Sequence, residues 1–573
     1  MRSPVRRPLV LSLSLVLLLG ATALGAPSTF AAKPPPHTKV AGINVDAKTI
    51  PQLQALMNRH RLSSVQLTQF YLQRIRRLNP KLNAVITINP AALAEAKTAD
   101  AARRHGDRRP LLGIPILVKD NVDTSGLATT AGSWALAGST PGDAFIIGRL
   151  RAAGAFVLAK ANLSEWANFR SIPSSSGWTG IGGQTNMAYV LDRNPCGSSS
   201  GTAVGISADL ATVGIGTETD GSIICPSGAN SLVGIKPTLG LWSRAGIVPI
   251  SADQDTAGPI TRNVTDAAVL LGALTGIDAD DPATAEQAGH AFTNYVQFLD
   301  ANALQGKRIG VLREGVVFPA GTPMPPEIEA ILQEAIATLE AQGATVVDPA
   351  DIHLGPWFDN EFPALLCEFK SDIASYLGTY TGPAYPKTLA GLIAFNEAHS
   401  ELEGPSADIP WNNDLWEFAE TTNGRDADCD ALRAISTPGA REAIDAALAE
   451  NDLDAIIAPT NNPAWVTDPV NGDDFSLLVS PTSPAAVSGY PHITVPAGYI
   501  GGLPVGLSFM GTRWTEPQLL GYAFDFEQAS HARVPPTFIP SIGDGSVLAS
   551  SATSAQGAGA AHRDRPTSWK PLR

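Results

Sequence analysis

Residues 211–223 read Ala-Thr-Val-Gly-Ile-Gly-Thr-Glu-Thr-Asp-Gly-Ser-Ile. The apolar part, Ala211–Ile215, predicts a short strand, and the segment from Gly216 to Ser222 predicts a tight turn at its end. Such a turn exposes one hydroxyl group and several backbone N–H groups, and together these groups can bind an anion. The stretch therefore predicts that Ser222 lies in a polar turn at the end of a buried strand.

On both sides of this turn, short apolar segments alternate with segments of helical periodicity. Ile114–Val118 and Phe156–Ala159 are predicted strands, and Ala144–Ala153 between them is a predicted helix. The same criteria predict helices at 63–79 (from a Ser63–Gln66 capping box to Asn79-Pro80), 91–104 and 327–342, and strands at 84–88, 345–347, 455–458, 493–496 and 506–510. This alternation indicates an α/β fold with a largely buried sheet.

The composition excludes several classes of protein. With 44% hydrophobic and 16% charged residues, the 573-residue chain can bury a large core. The formal net charge of −14 repels phosphate backbones, so nucleic acid is not an expected partner. The nine histidines form no HExxH motif and no zinc-type spacing with paired cysteines, so we expect no metal site.

The N-terminus has the pattern of an export signal. Three arginines among the first seven residues precede the apolar run Leu9–Leu19, which is shorter than the ~20 residues of a spanning helix. We therefore predict a cleaved signal peptide over residues 1–31, a secreted or periplasmic location, and no stable membrane span after cleavage. Ala21-Thr22-Ala23 and Thr29-Phe30-Ala31 both fit a cleavage site, and the general and twin-arginine export routes both stay open.

The rest of the chain is expected to form one domain between two irregular segments. A Pro-rich connector occupies residues 32–44, and the predicted domain covers residues 45–542. Residues 543–573 are rich in Ser, Ala and Gly without periodicity, so they are predicted to be a disordered tail. An even number of cysteines is compatible with an oxidising compartment, and three complete pairings stay open. The cysteines are Cys196, Cys225, Cys367 and Cys429.

Three motifs add chemistry to this framework. Lys119 ends Gly113-Ile-Pro-Ile-Leu-Val-Lys; Ser198 lies 79 positions later in Cys196-Gly-Ser-Ser-Ser-Gly, and Ser222 a further 24 positions on. In these residues and separations the chain resembles the amidase signature family, whose members have a lysine after a GxPxxxK strand, a Gly-Ser-Ser loop and a Gly-Ser-Ile turn. The resemblance continues in residues 160–165, 233–238, 254–259 and 493–498, and it covers roughly residues 45–535.

This resemblance implies a fold and a mechanism. The implied fold is α/β, with a large, mostly mixed or parallel twisted sheet covered by helices on both faces. Ser222 is the implied nucleophile that forms an acyl-enzyme, Ser198 bridges it to Lys119, and Lys119 is the general base. No cofactor is required. The implied oxyanion hole consists of the backbone N–H groups of Thr219, Asp220, Gly221 and Ser222.

The base role sets a requirement on the environment of Lys119. A lysine accepts a serine proton only when it is neutral, and its ordinary pKa is about 10.4. Lowering that pKa to near 7 costs about 4 kcal/mol, which burial among apolar neighbours can supply. Ile114, Ile116 and Val118 are the expected neighbours, so we predict a buried Lys119 with a pKa well below the ordinary value.

The residues after the nucleophile bear on the substrate. Many family members have Ile-Arg there, and the arginine can serve an acidic substrate; this chain has Ile223-Ile224, which disfavours a small dicarboxylate. Asn194–Gly201, Thr217–Ser222 and Cys225-Pro226 resemble the bacterial peptide amidases, which remove the C-terminal amide of peptides. The resemblance thus implies an amidase that acts on a peptide or small-molecule amide, and the N-terminal pattern predicts that it is exported. A broad-specificity amidase for aliphatic and aromatic amides is the alternative.

Other interpretations use the same residues differently. Gly197–Gly201 also fits the GxSxG elbow of α/β-hydrolases, with Ser199 as nucleophile and His492 as base, but the elbow requires a preceding strand and Leu191–Pro195 predicts a turn. A component of a tRNA-dependent amidotransferase is disfavoured by the export signal and the missing arginine. A catalytically inactive binding protein is disfavoured because all three motif residues are intact.

Two of the cysteines flank the implied catalytic serines. Cys196 lies two residues before Ser198, and Cys225 lies three residues after Ser222. If these serines hydrogen-bond to each other, the cysteines cannot be far apart. We therefore hypothesise that their Cα atoms lie within about 7 Å, the limit for a disulfide.

Overall fold

The computed structural model describes residues 38–313, 323–380, 385–405, 411–474 and 481–542. The predicted signal peptide (1–31), the first part of the connector (32–37) and the predicted tail (543–573) lie outside these residues, and the domain boundaries stay predictions. In the described ranges, no helix is both long enough and apolar enough to cross a membrane.

The described strands belong to two β-sheets. A small hairpin pairs β1 (Lys39–Val40) with β2 (Ile43–Asn44). The second sheet has eleven strands: β3 (Val85–Ile88), β4 (Pro115–Lys119), β5 (Phe156–Ala161), β6 (Val213–Glu218), β7 (Val233–Lys236), β8 (Thr256–Thr261), β9 (Arg308–Val311), β10 (Thr345–Val347), β11 (Ala455–Pro459), β12 (His492–Ile500) and β13 (Leu503–Met510).

Helices flank the large sheet on both faces, as the family resemblance implies. The α-helices of the described residues are α1 (Ile50–Asn58), α2 (Ser64–Leu82), α3 (Ala92–Arg104), α4 (Phe145–Ala152), α5 (Ser200–Ser207), α6 (Ile224–Ala229), α7 (Val264–Leu274), α8 (Pro326–Ala341), α9 (Pro356–Thr379), α10 (Leu389–Ala398), α11 (Asp414–Glu420), α12 (Ala427–Glu450), α13 (Thr482–Ser488) and α14 (Glu516–Ser530).

The large sheet is mixed, which confirms the expected fold class. Its strand order is β10-β9-β11-β13-β12-β7-β8-β6-β4-β5-β3. The parallel pairs are β10–β9, β9–β11, β6–β4 and β4–β5, and the other neighbouring pairs are antiparallel. Parallel pairing therefore occurs towards the two ends of the sheet, and antiparallel pairing dominates its centre.

The neighbouring strands β4 and β6 determine where the site forms. Every residue of both strands is buried, so their apolar side chains pack on both faces of the sheet. The two strands run parallel with Val118 opposite Ile215. Their carboxyl ends therefore lie side by side, which places Lys119 of β4 next to Thr217 and Glu218 of β6.

The observed β6 begins two residues later and ends three residues later than the sequence predicts. The prediction was Ala211–Ile215, whereas the strand covers Val213–Glu218. The polar end of the strand is stabilised because it pairs with β8, with Glu218 opposite Thr256. The turn that carries Ser222 consequently begins at Thr219.

The helix α2 confirms the predicted capping box but not the predicted end. The Ser63 hydroxyl accepts from the Gln66 backbone, and the Gln66 side chain accepts from the Ser63 backbone. The helix continues past Asn79-Pro80 because a proline in the last turn removes only one helical hydrogen bond. Asn83 then ends the helix in the left-handed conformation, with φ of 47°.

Candidate active site

Lys119 lies at the carboxyl end of β4 with its side chain fully buried. Its Nζ lies 2.8 Å from Ser198 Oγ, 2.8 Å from Thr217 Oγ1 and 3.2 Å from the Thr217 carbonyl oxygen. Burial lowers the pKa of Lys119 to about 7, although the carboxylates of Asp255 and Glu218 act in the opposite direction. A neutral amine has two hydrogens and one lone pair, so Thr217 can accept the hydrogens while Ser198 donates to the lone pair.

We expect amide hydrolysis to rise with pH through an apparent pKa near 7. The deprotonated lysine is the form that accepts a proton, so activity is present above this pKa and lost below it. His492 cannot produce this limb, because burial lowers its pKa to about 3 and keeps it neutral. The measurement is a pH profile of kcat/KM, with His531→Ala at the end of α14 as the control. A limb near the ordinary lysine pKa, or one that moves in the control, contradicts a base role for Lys119.

Ser198 follows a cis peptide bond after Gly197, on the loop that leads into α5. The next residue fixes this loop to the sheet. The Ser199 N–H donates to the Ser222 carbonyl oxygen at 3.0 Å, and the Ser199 hydroxyl donates to the Thr217 carbonyl oxygen at 3.0 Å. The loop that carries Ser198 is thus held against both β6 and the turn that carries Ser222.

The same geometry argues against the elbow interpretation. The segment from Leu191 to Gly197 contains no strand, only an isolated bridge at Arg193. The Ser199 side chain is fully buried and engaged by the β6 backbone. His492 is fully buried in β12, where its ring nitrogens contact no hydrogen-bond partner among the described residues. Neither residue is therefore arranged as a nucleophile–base pair.

Ser222 lies on the turn between β6 and α6, and 7% of its surface is exposed. Gly221 gives the turn its shape, with φ of 80°, a conformation that other residues rarely adopt. Glu218 Oε2 fixes the far end by accepting from the Ile223 and Ile224 N–H groups at 2.7 and 2.9 Å. In the described part of the chain, no protein acceptor is bonded to the backbone N–H groups of Thr219, Asp220, Gly221 and Ser222.

A disulfide joins the two serine loops, which confirms the hypothesis about Cys196 and Cys225. Their Cα atoms lie 6.0 Å apart, and the sulfur atoms are bonded. The other two cysteines, Cys367 of α9 and Cys429 of α12, form a second disulfide. Of the three pairings that the sequence leaves open, this is the one that the structure contains.

We expect the two disulfides to differ in their effect on catalysis. Each closes a loop of tens of residues, so its removal costs about 4 kcal/mol of unfolding free energy. The Cys196→Ala/Cys225→Ala variant should also lose kcat/KM, because its disulfide connects the loops of Ser198 and Ser222. Cys367→Ala/Cys429→Ala is the matched control, measured by urea unfolding and kcat/KM. An equal loss of kcat/KM in both variants contradicts this prediction.

Two polar residues near Lys119 were missed by the sequence analysis. Thr217 accepts from Lys119 through two oxygens, and Asn121 Nδ2 donates to Thr217 Oγ1 at 2.9 Å. Asn121 lies two residues after Lys119, so its position was available from the sequence. Thr217 was assigned to a turn, because the prediction ended β6 at Ile215.

No group of three or more His, Cys, Asp or Glu side chains in the described residues has an arrangement suited to a metal ion. Lys119 is hydrogen-bonded to Ser198, and the Ser198 loop is bonded through Ser199 to the Ser222 backbone, but among the described residues no hydrogen bond joins the Ser198 and Ser222 hydroxyls. The predicted site thus combines hydroxyls, one amine and backbone N–H groups. Such a centre can transfer a proton from a hydroxyl to a neutral amine and can stabilise a developing oxyanion.

Comparisons with known proteins show the family to which the chain belongs. A family model described as Amidase matches residues 66–520. A probable amidase of Arabidopsis thaliana is 40% identical over 547 residues, which cover 93% of this chain and 97% of that protein. A glutamyl-tRNA(Gln) amidotransferase chain of Caldanaerobacter subterraneus is 31% identical, with 84% and 96% of the two chains covered.

A solved structure extends the likeness to the fold. The native peptide amidase of Stenotrophomonas maltophilia is 47% identical, with a TM-score of 0.79 and coverage of 86% of this chain and 99% of that one. Because the family model and these relatives span most of the sequence, the chain belongs to the amidase signature family of amide-hydrolysing enzymes.

Proposed function

We propose that this amidase hydrolyses the C-terminal amide of peptides outside the cytoplasm, and that Ser222, Ser198 and Lys119 carry out the reaction. The observation that carries the proposal is the buried Lys119 amine, 2.8 Å from Ser198 Oγ, with a pKa lowered to about 7. A base of this kind lets a serine hydroxyl act as a nucleophile near neutral pH.

In the first half of the reaction, Ser222 Oγ attacks the carbonyl carbon of the amide. Its proton passes to Ser198 Oγ while the Ser198 proton passes to Lys119 Nζ. The carbonyl oxygen becomes negatively charged as the tetrahedral intermediate forms. The C–N bond then breaks, and the proton returns from Lys119 through Ser198 to the nitrogen, so that ammonia leaves and an acyl-enzyme remains.

In the second half of the reaction, water hydrolyses the acyl-enzyme, and Ser198 and Lys119 again relay the proton. Water attacks the ester carbon and gives its proton through Ser198 to Lys119. The ester bond breaks, the proton returns to Ser222 Oγ, and the carboxylic acid is released. No group outside the three side chains and water is needed for the proton balance.

The turn after β6 supplies the stabilisation of negative charge. The N–H groups of Thr219, Asp220, Gly221 and Ser222 have no protein acceptor among the described residues and are available to the substrate oxygen. One such donor contributes on the order of 3–4 kcal/mol to the transition state. Because Glu218 and the Cys196–Cys225 disulfide fix the turn, these donors need little reorganisation during the reaction.

Two features favour a peptide amide over a small acidic amide. Ile224 is fully buried and offers no positive charge to a substrate carboxylate. On α9, Phe358 and Phe362 are exposed on either side of Glu361, which Gln254 connects to the Thr219 carbonyl oxygen. Exposed aromatic rings near the turn suit the apolar side chains of a peptide. The identity to a peptide amidase supports the same substrate class.

A screen for ammonia release tests the substrate class. Its members are an N-acetyl dipeptide amide, a simple aliphatic amide, an aromatic amide and glutamine, the last to test the glutaminase chemistry that a tRNA-dependent amidotransferase requires. Since one apolar contact contributes about 1–3 kcal/mol, kcat/KM for the peptide amide should exceed the others by about 10- to 200-fold.

A matched pair of variants locates this preference. Phe362→Ala should reduce the advantage of the peptide amide, whereas Phe292→Ala, a partly exposed phenylalanine outside α9, should not. Equal kcat/KM for all amides supports the broad-specificity alternative and contradicts the peptide assignment.

The proposed location rests on the N-terminal sequence and is supported by the two disulfides, which persist in oxidising compartments. Expression of the full chain, followed by fractionation and N-terminal analysis, tests it. Export with a mature terminus at Leu24 or Ala32 is expected. Full-length protein that stays in the cytoplasm contradicts this part of the proposal.

A further inference from the structure

A cavity of about 960 Å³ lies next to the residues that contact Lys119. Thr217 and Asn121 form part of its wall, and Thr217 is also the residue that accepts from Lys119. Another part of the wall includes Tyr376 of α9 and Tyr380, the residue that follows this helix. None of Lys119, Ser198 and Ser222 lines the cavity, but Thr219 of the proposed oxyanion hole does, so the cavity adjoins the reacting groups.

The cavity wall is strongly acidic. Eight of its lining residues are Asp or Glu, and Arg244 is the only cation among the described residues that line it. Arginines pair with Asp143, Asp253, Asp281 and Asp372. The other four, Asp123, Glu218, Asp255 and Asp280, form no salt bridge with a described residue. The wall thus has an excess of negative charge that favours a cation in the cavity.

Two buried acceptor atoms on this wall are unsatisfied. Asn121 Oδ1 and Glu218 Oε1 have no hydrogen-bond partner among the described residues, although their side chains are only 2% and 1% exposed. Both atoms are enclosed by protein, and burial raises the pKa of Glu218, so these acceptors belong to the interior of the wall and not to the surface that a ligand meets.

The aromatic rings that line the cavity favour an organic cation over a metal ion. Tyr376, Tyr380 and Tyr385 line the cavity, and the hydroxyls of Tyr376 and Tyr380 donate to Asp123 Oδ1 at 2.8 and 3.1 Å. Tyrosine faces next to a fixed carboxylate are typical of sites for organic ammonium ions. A metal ion is disfavoured, because the described carboxylates form no group of three with metal-binding geometry. The volume also exceeds that of a single small ion and suits an organic body.

We infer that this cavity is a binding site for an ammonium-type cation, held by Asp123 and packed against the tyrosines. Two sources supply this chemistry in the reaction. One is a cationic group of the substrate, such as the free N-terminal ammonium of a short peptide amide. The other is the amine or ammonia that amide hydrolysis releases.

Calorimetric titration of the wild-type protein with butylammonium chloride tests the site without any substrate. Saturable binding is expected for butylammonium, and none for 1-butanol or for potassium chloride at the same ionic strength. Asp123→Asn removes the charge but keeps an acceptor, and it should weaken binding about tenfold. Asp280→Asn, at the exposed part of the wall, should weaken binding less, and it provides a test if Asp123→Asn does not fold. Asp452→Asn, with a side chain 98% exposed outside the cavity, is the matched control.

Binding of butylammonium no stronger than that of potassium overturns the inference. Unchanged affinity in both Asp123→Asn and Asp280→Asn, or tight binding of calcium instead of butylammonium, also overturns it. Because this titration needs no turnover, its failure is distinguishable from failure of peptide amide hydrolysis.

Kinetics then identify the source of the cation. A dipeptide amide with a free N-terminus should have a lower KM than its N-acetyl form if the substrate ammonium occupies the site, and Asp123→Asn should remove that difference. Equal KM values, together with inhibition of both substrates by butylammonium, assign the site to the released amine. Equal KM values without such inhibition contradict a role for the site in the reaction.

Discussion

Replacement of Ser222 by alanine is expected to lower kcat by at least about 10⁴-fold. The variant keeps the turn, its N–H groups and the Glu218 contacts, but it has no oxygen to form the acyl-enzyme. The measurement is ammonia release under saturating peptide amide, together with intact-protein mass spectrometry for an acyl adduct. The adduct should be absent from the variant at every time point.

Ser199→Ala is the matched control for this experiment. The Ser199 hydroxyl serves the β6 backbone, donating to the Thr217 carbonyl oxygen and accepting from the Thr217 N–H. Its removal leaves buried groups unpaired and should cost about 1–3 kcal/mol of stability. Most of the activity should remain. A Ser199→Ala enzyme that is as inactive as Ser222→Ala, while still folded, contradicts the assignment.

Lys119→Arg is expected to be nearly as damaging as the loss of the nucleophile, lowering kcat/KM by several orders of magnitude. A guanidinium stays protonated at every accessible pH, so it cannot accept the proton that Ser198 relays. Lys119→Met keeps a similar length without any charge, and it should be equally inactive. The Ser198 and Thr217 oxygens lose their partner in this variant, which should cost about 1–3 kcal/mol of stability.

The comparison of these two variants separates a base from a fixed charge. Both are assayed for kcat/KM over a range of pH, and urea unfolding shows that each is folded. Near-normal turnover of folded Lys119→Arg means that the lysine acts only as a positive charge, and the proton relay proposed here must then be abandoned.

The sequence was most informative where apolar runs are long and fully buried. Ile114–Val118 was a predicted strand, and β4 covers Pro115–Lys119, a shift of one residue. The strand predicted at 455–458 is β11, which covers Ala455–Pro459 and is buried throughout. Such segments are readable because burial on both faces leaves an unbroken run of apolar side chains between turn residues.

The strand β8 shows why other elements were not predicted. It reads Thr-Ala-Gly-Pro-Ile-Thr, and glycine and proline are both depleted in strand interiors. Gly258 is nevertheless required, because a Cβ atom there would lie 1.9 Å from the Ile235 carbonyl oxygen. The packing of β7 against β8 thus selects residues that local propensity assigns to a turn.

Some residues of the candidate site could likewise be predicted from the sequence, whereas others could not. Lys119, Ser198 and Ser222 were available from short motifs, and the disulfide of Cys196 with Cys225 followed from their positions beside the serines. The acidic cavity was not, because it combines Asp123, Glu218 and Tyr376 from segments far apart in the chain. Only the strand order and the packing of α9 bring those segments together.

The central claim is that Ser222 is the nucleophile and that neutral Lys119 activates it. A fluorophosphonate probe, followed by peptide mapping with mass spectrometry, tests this claim most directly when the labelling rate is measured at several pH values. We predict one adduct, on Ser222, that forms faster as pH rises through an apparent pKa near 7 and is nearly absent in Lys119→Met. An adduct on Ser199 or Ser198, or labelling of Ser222 at the same rate in Lys119→Met, would contradict the account.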